Sequence, residues 1–152
     1  MKKLLLLFTF SALALTSCED EDTQGLEIDM LQGTWKIAKT EIISGVNENI
    51  VISTDIPTGC FAKSNYEFRT DYLASYTAVS GFGNNCNSVK TDGKYTYDAD
   101  KKEMVITLKG DKDRKYKVVI LSSSELRLVS LTDNIDQNGD LVIDIPYISF
   151  TR

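Results

Sequence analysis

From Trp35 to Thr151 the chain alternates apolar and polar residues with a period of two, and turn residues break the alternation about every 8 to 12 positions. A helix repeats its face every 3.6 residues, so a period of two demands extended chain whose side chains point to opposite faces. In the first run Trp35, Ile37 and Lys39 share one face and Lys36, Ala38 and Thr40 the other, until Ser44-Gly45 ends it. Asn49–Thr54 is a weaker run, stopped by Asp55-Ile56-Pro57 because proline has no N–H to give to a ladder.

Lys63–Arg69 carries Tyr66 and Phe68 on one face, Tyr72–Ser80 alternates Tyr72, Ala74, Tyr76 and Ala78 against its other face, and the two read as a hairpin. Gly81–Asn87 is a loop by composition. Lys94–Asp98, with Tyr95 and Tyr97 on one face, and Glu103–Lys109, with Met104, Ile106 and Leu108, form a second hairpin across Ala99–Lys102. Lys115–Leu121, Glu125–Thr132 and Leu141–Thr151 complete a set of eight or nine short strands with no convincing amphipathic helix. Such a set predicts an all-β antiparallel barrel or sandwich.

What precedes the strands is address and tether. Met1-Lys2-Lys3, the apolar run Leu4–Leu15 and the small residues Thr16-Ser17 follow the plan of a secretory signal over residues 1–17, and the run falls short of the roughly 20 apolar residues a spanning helix needs. Leu15-Thr16-Ser17-Cys18 resembles the lipobox of bacterial lipoproteins, which implies that Cys18 becomes the lipidated first residue and holds the chain to a membrane. The acids Glu19, Asp20, Glu21 and Asp22 then make residues 18–25 too polar to order themselves, so they read as a flexible tether. That cluster resembles the sorting signal of surface lipoproteins in one Gram-negative phylum, which implies an outer-membrane protein exposed at the cell surface. Leu26–Leu31 has room for one helical turn before Gly33.

Composition removes several chemistries. The chain has no histidine, so the usual general base, the commonest transition-metal ligand and the usual pH switch are missing. With Cys18 lipidated, two thiols remain, too few for a zinc site. No cofactor motif is legible, and the expectation is a protein that is not an enzyme. The net charge is −5 with the acids concentrated in Glu19–Asp22, and no basic stripe is present to neutralise phosphates, so nucleic acid is not the expected partner.

Cys60 and Cys86 lie in turn-rich, polar stretches of an exported chain, where the compartment oxidises thiols, and they are expected to pair. Asn134–Asp140 spaces oxygen side chains like the front half of a calcium loop, but Ile145 stands where a closing bidentate Glu is needed. Asn138-Gly139 is therefore read as a type I′ hairpin turn between two long strands, and no metal site is expected.

Leu31-x-Gly33-x-Trp35 at the head of the first strand, the cysteine pair, the meander of strands and the lipobox leader together resemble the lipocalin-like lipoproteins of Gram-negative bacteria. The resemblance covers about residues 26–152 and implies a small up-and-down β-barrel of about eight strands. It implies that Gly33 and Trp35, the only tryptophan, plug the closed end of the barrel with Arg152 packed over the indole. Thr70-Asp71-Tyr72 matches a lipocalin signature in letters but comes too early in the chain and is set aside. Two functions stay open. One is a tethered binding module holding a small apolar ligand in the barrel mouth, with Tyr66, Phe68, Tyr72, Tyr76, Tyr95 and Tyr97 as candidate lining. The other is an interaction protein with a filled barrel whose loops meet a protein or glycan partner.

Overall fold

The computed structural model describes residues 20–152. One helix, α1 (Asp20–Leu31), leads into nine strands: β1 (Gly33–Ile43), β2 (Val51–Asp55), β3 (Asn65–Phe68), β4 (Leu73–Phe82), β5 (Asn85–Asp98), β6 (Glu103–Leu108), β7 (Arg114–Leu121), β8 (Glu125–Ser130) and β9 (Ile145–Thr151). All pairings are antiparallel between neighbours, and β1 also pairs with β9, which closes the sheet into an eight-stranded up-and-down barrel. Closure removes the sheet's free edges and encloses the inward faces. The core fills with Trp35 of β1, Phe68 of β3, Tyr95 of β5, Met104 of β6 and Leu126 and Leu128 of β8, all at inward positions.

The ninth strand is a consequence of one interruption. β2 pairs with Thr40–Ile43 and β3 with Gly33–Lys36 on the same edge of β1, so together they occupy a single place in the wall. Residues 56–64 bulge out between them, with a 3-10 turn at Phe61–Lys63. Ser64 pins the insert to β4, accepting from Val79 N at 2.9 Å through Oγ. Cys60 is bridged to Cys86 with Cα atoms 5.5 Å apart, which fastens the insert to β5.

Four expectations are corrected. Gly81–Asn87 is not a loop: β4 and β5 stay paired from Leu73↔Lys94 to Phe82↔Asn85, so only Gly83-Asn84 turns the chain. Gly81 makes this closure feasible, because a Cβ there would stand 2.1 Å from Asn85 O at a φ of +129°. Residues 20–25 are helical rather than an irregular tether. The helix is held at its far end, where Leu31 is buried, Ile28 packs on the core and Glu27 bonds Tyr97 and Lys102. Tertiary docking thus supplies the nucleus that an isolated short helix lacks.

In β1 the alternation shifts at a bulge between Ile37 and Lys39. The extra residue sends Lys39 outward, where it bonds Glu41, and turns Thr40 inward, opposite to the simple period-two reading. Finally, Asn138-Gly139 is not a type I′ turn between two long strands. Only Gly139 of the pair has a positive φ, β9 starts at Ile145, and an isolated bridge between Ile135 and Asp144 is the only ladder within residues 131–144. Leu15–Cys18, Glu19 and the leader lie outside the described residues.

Candidate functional site: the open end of the barrel

The two ends of the barrel are built differently. At the closed end Trp35 is wholly buried and its Nε1 donates to Leu31 O at 2.8 Å. Arg152 reaches over the indole, with Cζ 4.1 Å from the ring centroid, and donates to the carbonyls of Met30, Gln32 and Ser123. Gly33 is required beside it, since φ is +111° and a Cβ would come 3.2 Å from the Arg152 guanidinium. Tyr97 donates to Glu27, and Lys102 pairs with the same carboxylate, so α1 is clamped beneath the barrel floor.

Above that floor a cavity of about 510 Å³ opens between the strands. Its walls are Ile37, Ile106, Leu108, Leu128, Ile148 and Phe150, with Tyr66, Tyr76 and Tyr116. Its rim is polar, formed by Thr40, Thr91, Lys109, Asp111 and Arg114. Ile37 and Tyr76 also border a smaller space of about 290 Å³ under the 56–64 insert, so the break in the wall lies beside the cavity.

Of the six candidate lining aromatics, Tyr66 and Tyr76 line this cavity, their rings 4.6 Å apart. The other four do not. Phe68 and Tyr95 are core residues near the closed end, in edge contact at 5.1 Å, and the Tyr95 hydroxyl donates to Arg69 O. Tyr97 lies in the core at the closed end with its hydroxyl on Glu27. Tyr72 sits before β4 at a φ of +60°, 42% exposed, leaning on Tyr95 from outside. Alternation tells which face a residue takes but not its depth along the barrel axis.

The same limitation hid the residues that complete the site. Met104, Ile106 and Leu108 were legible as one face, yet nothing local places Ile106 opposite Arg114 on β7. That register turns Arg114 toward the cavity rim, where it donates to Asp111 Oδ2 through Nε at 3.1 Å and Nη2 at 2.6 Å.

Burial pushes the Tyr66 phenol well above its usual range, Tyr116 adds to the rise, and the Arg114 charge opposes it. Burial also raises the Tyr116 phenol, again against Arg114. Both are hydroxyl donors at neutral pH. Burial pushes Tyr95 up to about 12. Among the described residues no group of three acidic or cysteine side chains is placed to hold a metal ion. In the loop with calcium-like spacing, Asp136 accepts from Gly139 N and Leu141 N, Asn138 from Asp140 N, and Asp140 from Val142 N.

The bovine lipocalin allergen Bos d 2 superposes with a TM-score of 0.43 at 15% identity, covering 82% of this chain and 74% of that one. A deswapped triple mutant of bovine odorant binding protein gives 0.38 at 17% identity, covering 81% and 74%. No curated protein matches the chain. A family model described as Lipocalin-like domain matches residues 31–128, from the last residue of α1 to the middle of β8. This chain therefore belongs to the lipocalin-like domain family.

Proposed function

We propose that the protein is a lipid-anchored binding module of the cell envelope that holds a small, mainly apolar ligand in the open end of its barrel. The cavity carries this reading. Its volume of about 510 Å³ falls in the range of roughly 300 to 1,000 Å³ typical of small-molecule sites. Eight strands leave an interior just wide enough for side chains or one small ligand. Here aromatics and Met104 fill the closed half, and the open half keeps space. For the anchor, the support is the sequence Leu15–Cys18 and the acids Glu19–Asp22, which would attach the domain at the α1 side and present it at the outer-membrane surface.

Titration with N-phenyl-1-naphthylamine tests the ligand site. We expect saturable fluorescence enhancement at one probe per chain and its loss in Thr91→Trp, which fills the mouth from β5. No enhancement in the unaltered protein would refute the binding reading. The second reading, loops that meet a protein or glycan partner, is favoured by one observation. Phe82 is 90% exposed at the tip of the hairpin braced by the disulfide, so a large apolar ring stands free there to meet a partner.

A further inference from the structure

The barrel wall is interrupted on one side. On the edge of β1 that meets β2 and β3, β3 takes Gly33–Lys36 and β2 takes Thr40–Ile43, which leaves Ile37, Ala38 and Lys39 between them without a ladder partner among the described residues. β4 is bare at the same height. Its pairing with β3 runs from Ala74↔Phe68 to Thr77↔Asn65 and β2 does not pair with it, so on that edge Ala78–Phe82 have no strand beside them among the described residues. Strands hold one another through their ladders, and a stretch bare on both banks is a window in the wall.

Residues 56–64 lie across that window as a strap. The space of about 290 Å³ beneath it is lined by Ile56, Pro57, Phe61 and Ser64 of the strap and by Ile37 and Tyr76 of the barrel. Ile37 and Tyr76 also line the larger cavity, so the two spaces share those side chains as a partition, and no strap residue lines the cavity itself. Two ties hold the strap to the far bank. One is the Cys60–Cys86 bridge to β5, and the other is Ser64, whose Oγ accepts from Val79 N at 2.9 Å and donates to Val79 O at 3.4 Å. The bonds of the 3-10 turn, Lys63 N to Cys60 O and Ser64 N to Phe61 O, are internal to the strap and do not fasten it.

The two ways into the cavity differ in character. Lys109, Asp111 and Arg114 stand on the rim of the mouth, whereas Ile56 and Phe61 are more than half exposed on the strap. An apolar ligand passing the rim strips water from charged groups, and at the strap it meets apolar surface.

We propose, resting on the binding reading above, that the ligand enters and leaves through this lateral window, with residues 56–64 as the gate and the Cys60–Cys86 bridge as its latch. Opening needs only the strap to swing off β4, a local loop motion during which the ladders on either side stay paired. Such a gate sets rates and leaves affinity alone, because the strap does not touch the cavity where the ligand rests.

The test is stopped-flow association and dissociation of N-phenyl-1-naphthylamine. It compares the unaltered protein before and after reduction with tris(2-carboxyethyl)phosphine, and the Cys60→Ser, Cys86→Ser variant, with the fold checked by circular dichroism. Cutting the latch frees opened conformations of the strap, so both rate constants should rise together by about tenfold or more while Kd stays in place. Asp144→Ala instead loosens the β1–β2 loop and the 131–144 connection at the open end, and it should leave both rates as they are. Should the reduced protein and the double variant lose their fold, Ser64→Ala decides by the same pair of rates, since it unpins the strap and keeps the bridge. Rates indifferent to the ties, a Kd that shifts while association does not, or exchange quickened by Asp144→Ala overturns the gate while the binding reading stands. A probe that does not bind the unaltered protein overturns both.

Discussion

The guanidinium of the last residue, Arg152, lies over the ring of Trp35 with Cζ 4.1 Å from its centroid, and the same group holds the carbonyls of Met30 and Gln32 at the end of α1. The last four carbonyls of a helix have no partner within it, so the chain's C-terminal side chain caps its helix and covers its tryptophan at once. Trp35→Ala should cost about 3 to 5 kcal/mol in denaturant unfolding, the range for removing a large buried aromatic. Arg152→Ala should cost about 1 to 2 kcal/mol, from the cation–π contact and lost hydrogen bonds. The double variant should fall short of the sum because the residues share a contact. Native emission should be blue-shifted; strict additivity, or a water-exposed emission maximum, would contradict the plug.

Glu27 ties α1 to the barrel through Tyr97 and Lys102, and it gives folding a pH dependence. Burial pushes its carboxyl up, but the bonds from Lys102 and Tyr97 and the Lys102 charge outweigh burial and hold it below the ordinary 4.5. A lowered folded pKa means the stabilisation is complete above about 4.5 and is lost as pH falls through the folded value. Glu27→Gln should be about 1 kcal/mol less stable at pH 7 and should lose less stability than the unaltered protein between pH 5 and 3. Parallel curves across that window would show that Glu27 does not carry the effect.

The Cys60–Cys86 bridge closes a loop of sequence separation 26, which in the chain-entropy model contributes about 3 to 4 kcal/mol. Its loss should also release the 56–64 insert from the β4–β5 hairpin. In a Cys60→Ser, Cys86→Ser variant we expect a lower denaturation midpoint and faster amide exchange at Ser64 and Val79. Exchange unchanged at those positions would mean that the insert holds without the bridge.

Asp144 is 1% exposed and accepts from Gly45 N at 3.1 Å and Gln137 N at 2.8 Å, joining the β1–β2 loop to the long 131–144 connection. Asp144→Ala strands both donors and should cost about 2 kcal/mol. Millimolar calcium should leave the melting temperature of the unaltered protein in place, because the nearby carboxylates already hold backbone N–H groups. A rise reversed by chelator would show a cation site in that loop.

Replacing Cys18 with Ala should abolish incorporation of a fatty-acid analogue and release the protein from membranes. Replacing Glu19–Asp22 with Ala should leave it lipidated yet shielded from protease added to intact cells. Continued labelling in the first variant would end the proposal of a lipid anchor, and unchanged protease access in the second would reduce the acids to a spacer.

Much of the fold was legible because its signals are local. Period two, turn residues and the single Pro57 break declare strands from their own letters, and the strand-to-strand turns at Thr70-Asp71, Ala99–Lys102 and Ser122–Ser124 needed no partner to be read. By themselves those letters left barrel and sandwich open; Leu31-x-Gly33-x-Trp35 pointed to the barrel by resemblance. Tertiary structure decided the rest. Asn85–Asn87 is polar and reads as part of a loop, yet it becomes strand because β4 offers an unbroken ladder alongside it. α1 extends back to Asp20 because its far end is docked. The bulge in β1 turns Thr40 inward, and the β6–β7 register turns Arg114 toward the cavity rim. Depth and register are properties of pairs of strands: a residue's own neighbours in sequence set which way it faces, and only the closed barrel sets what it faces.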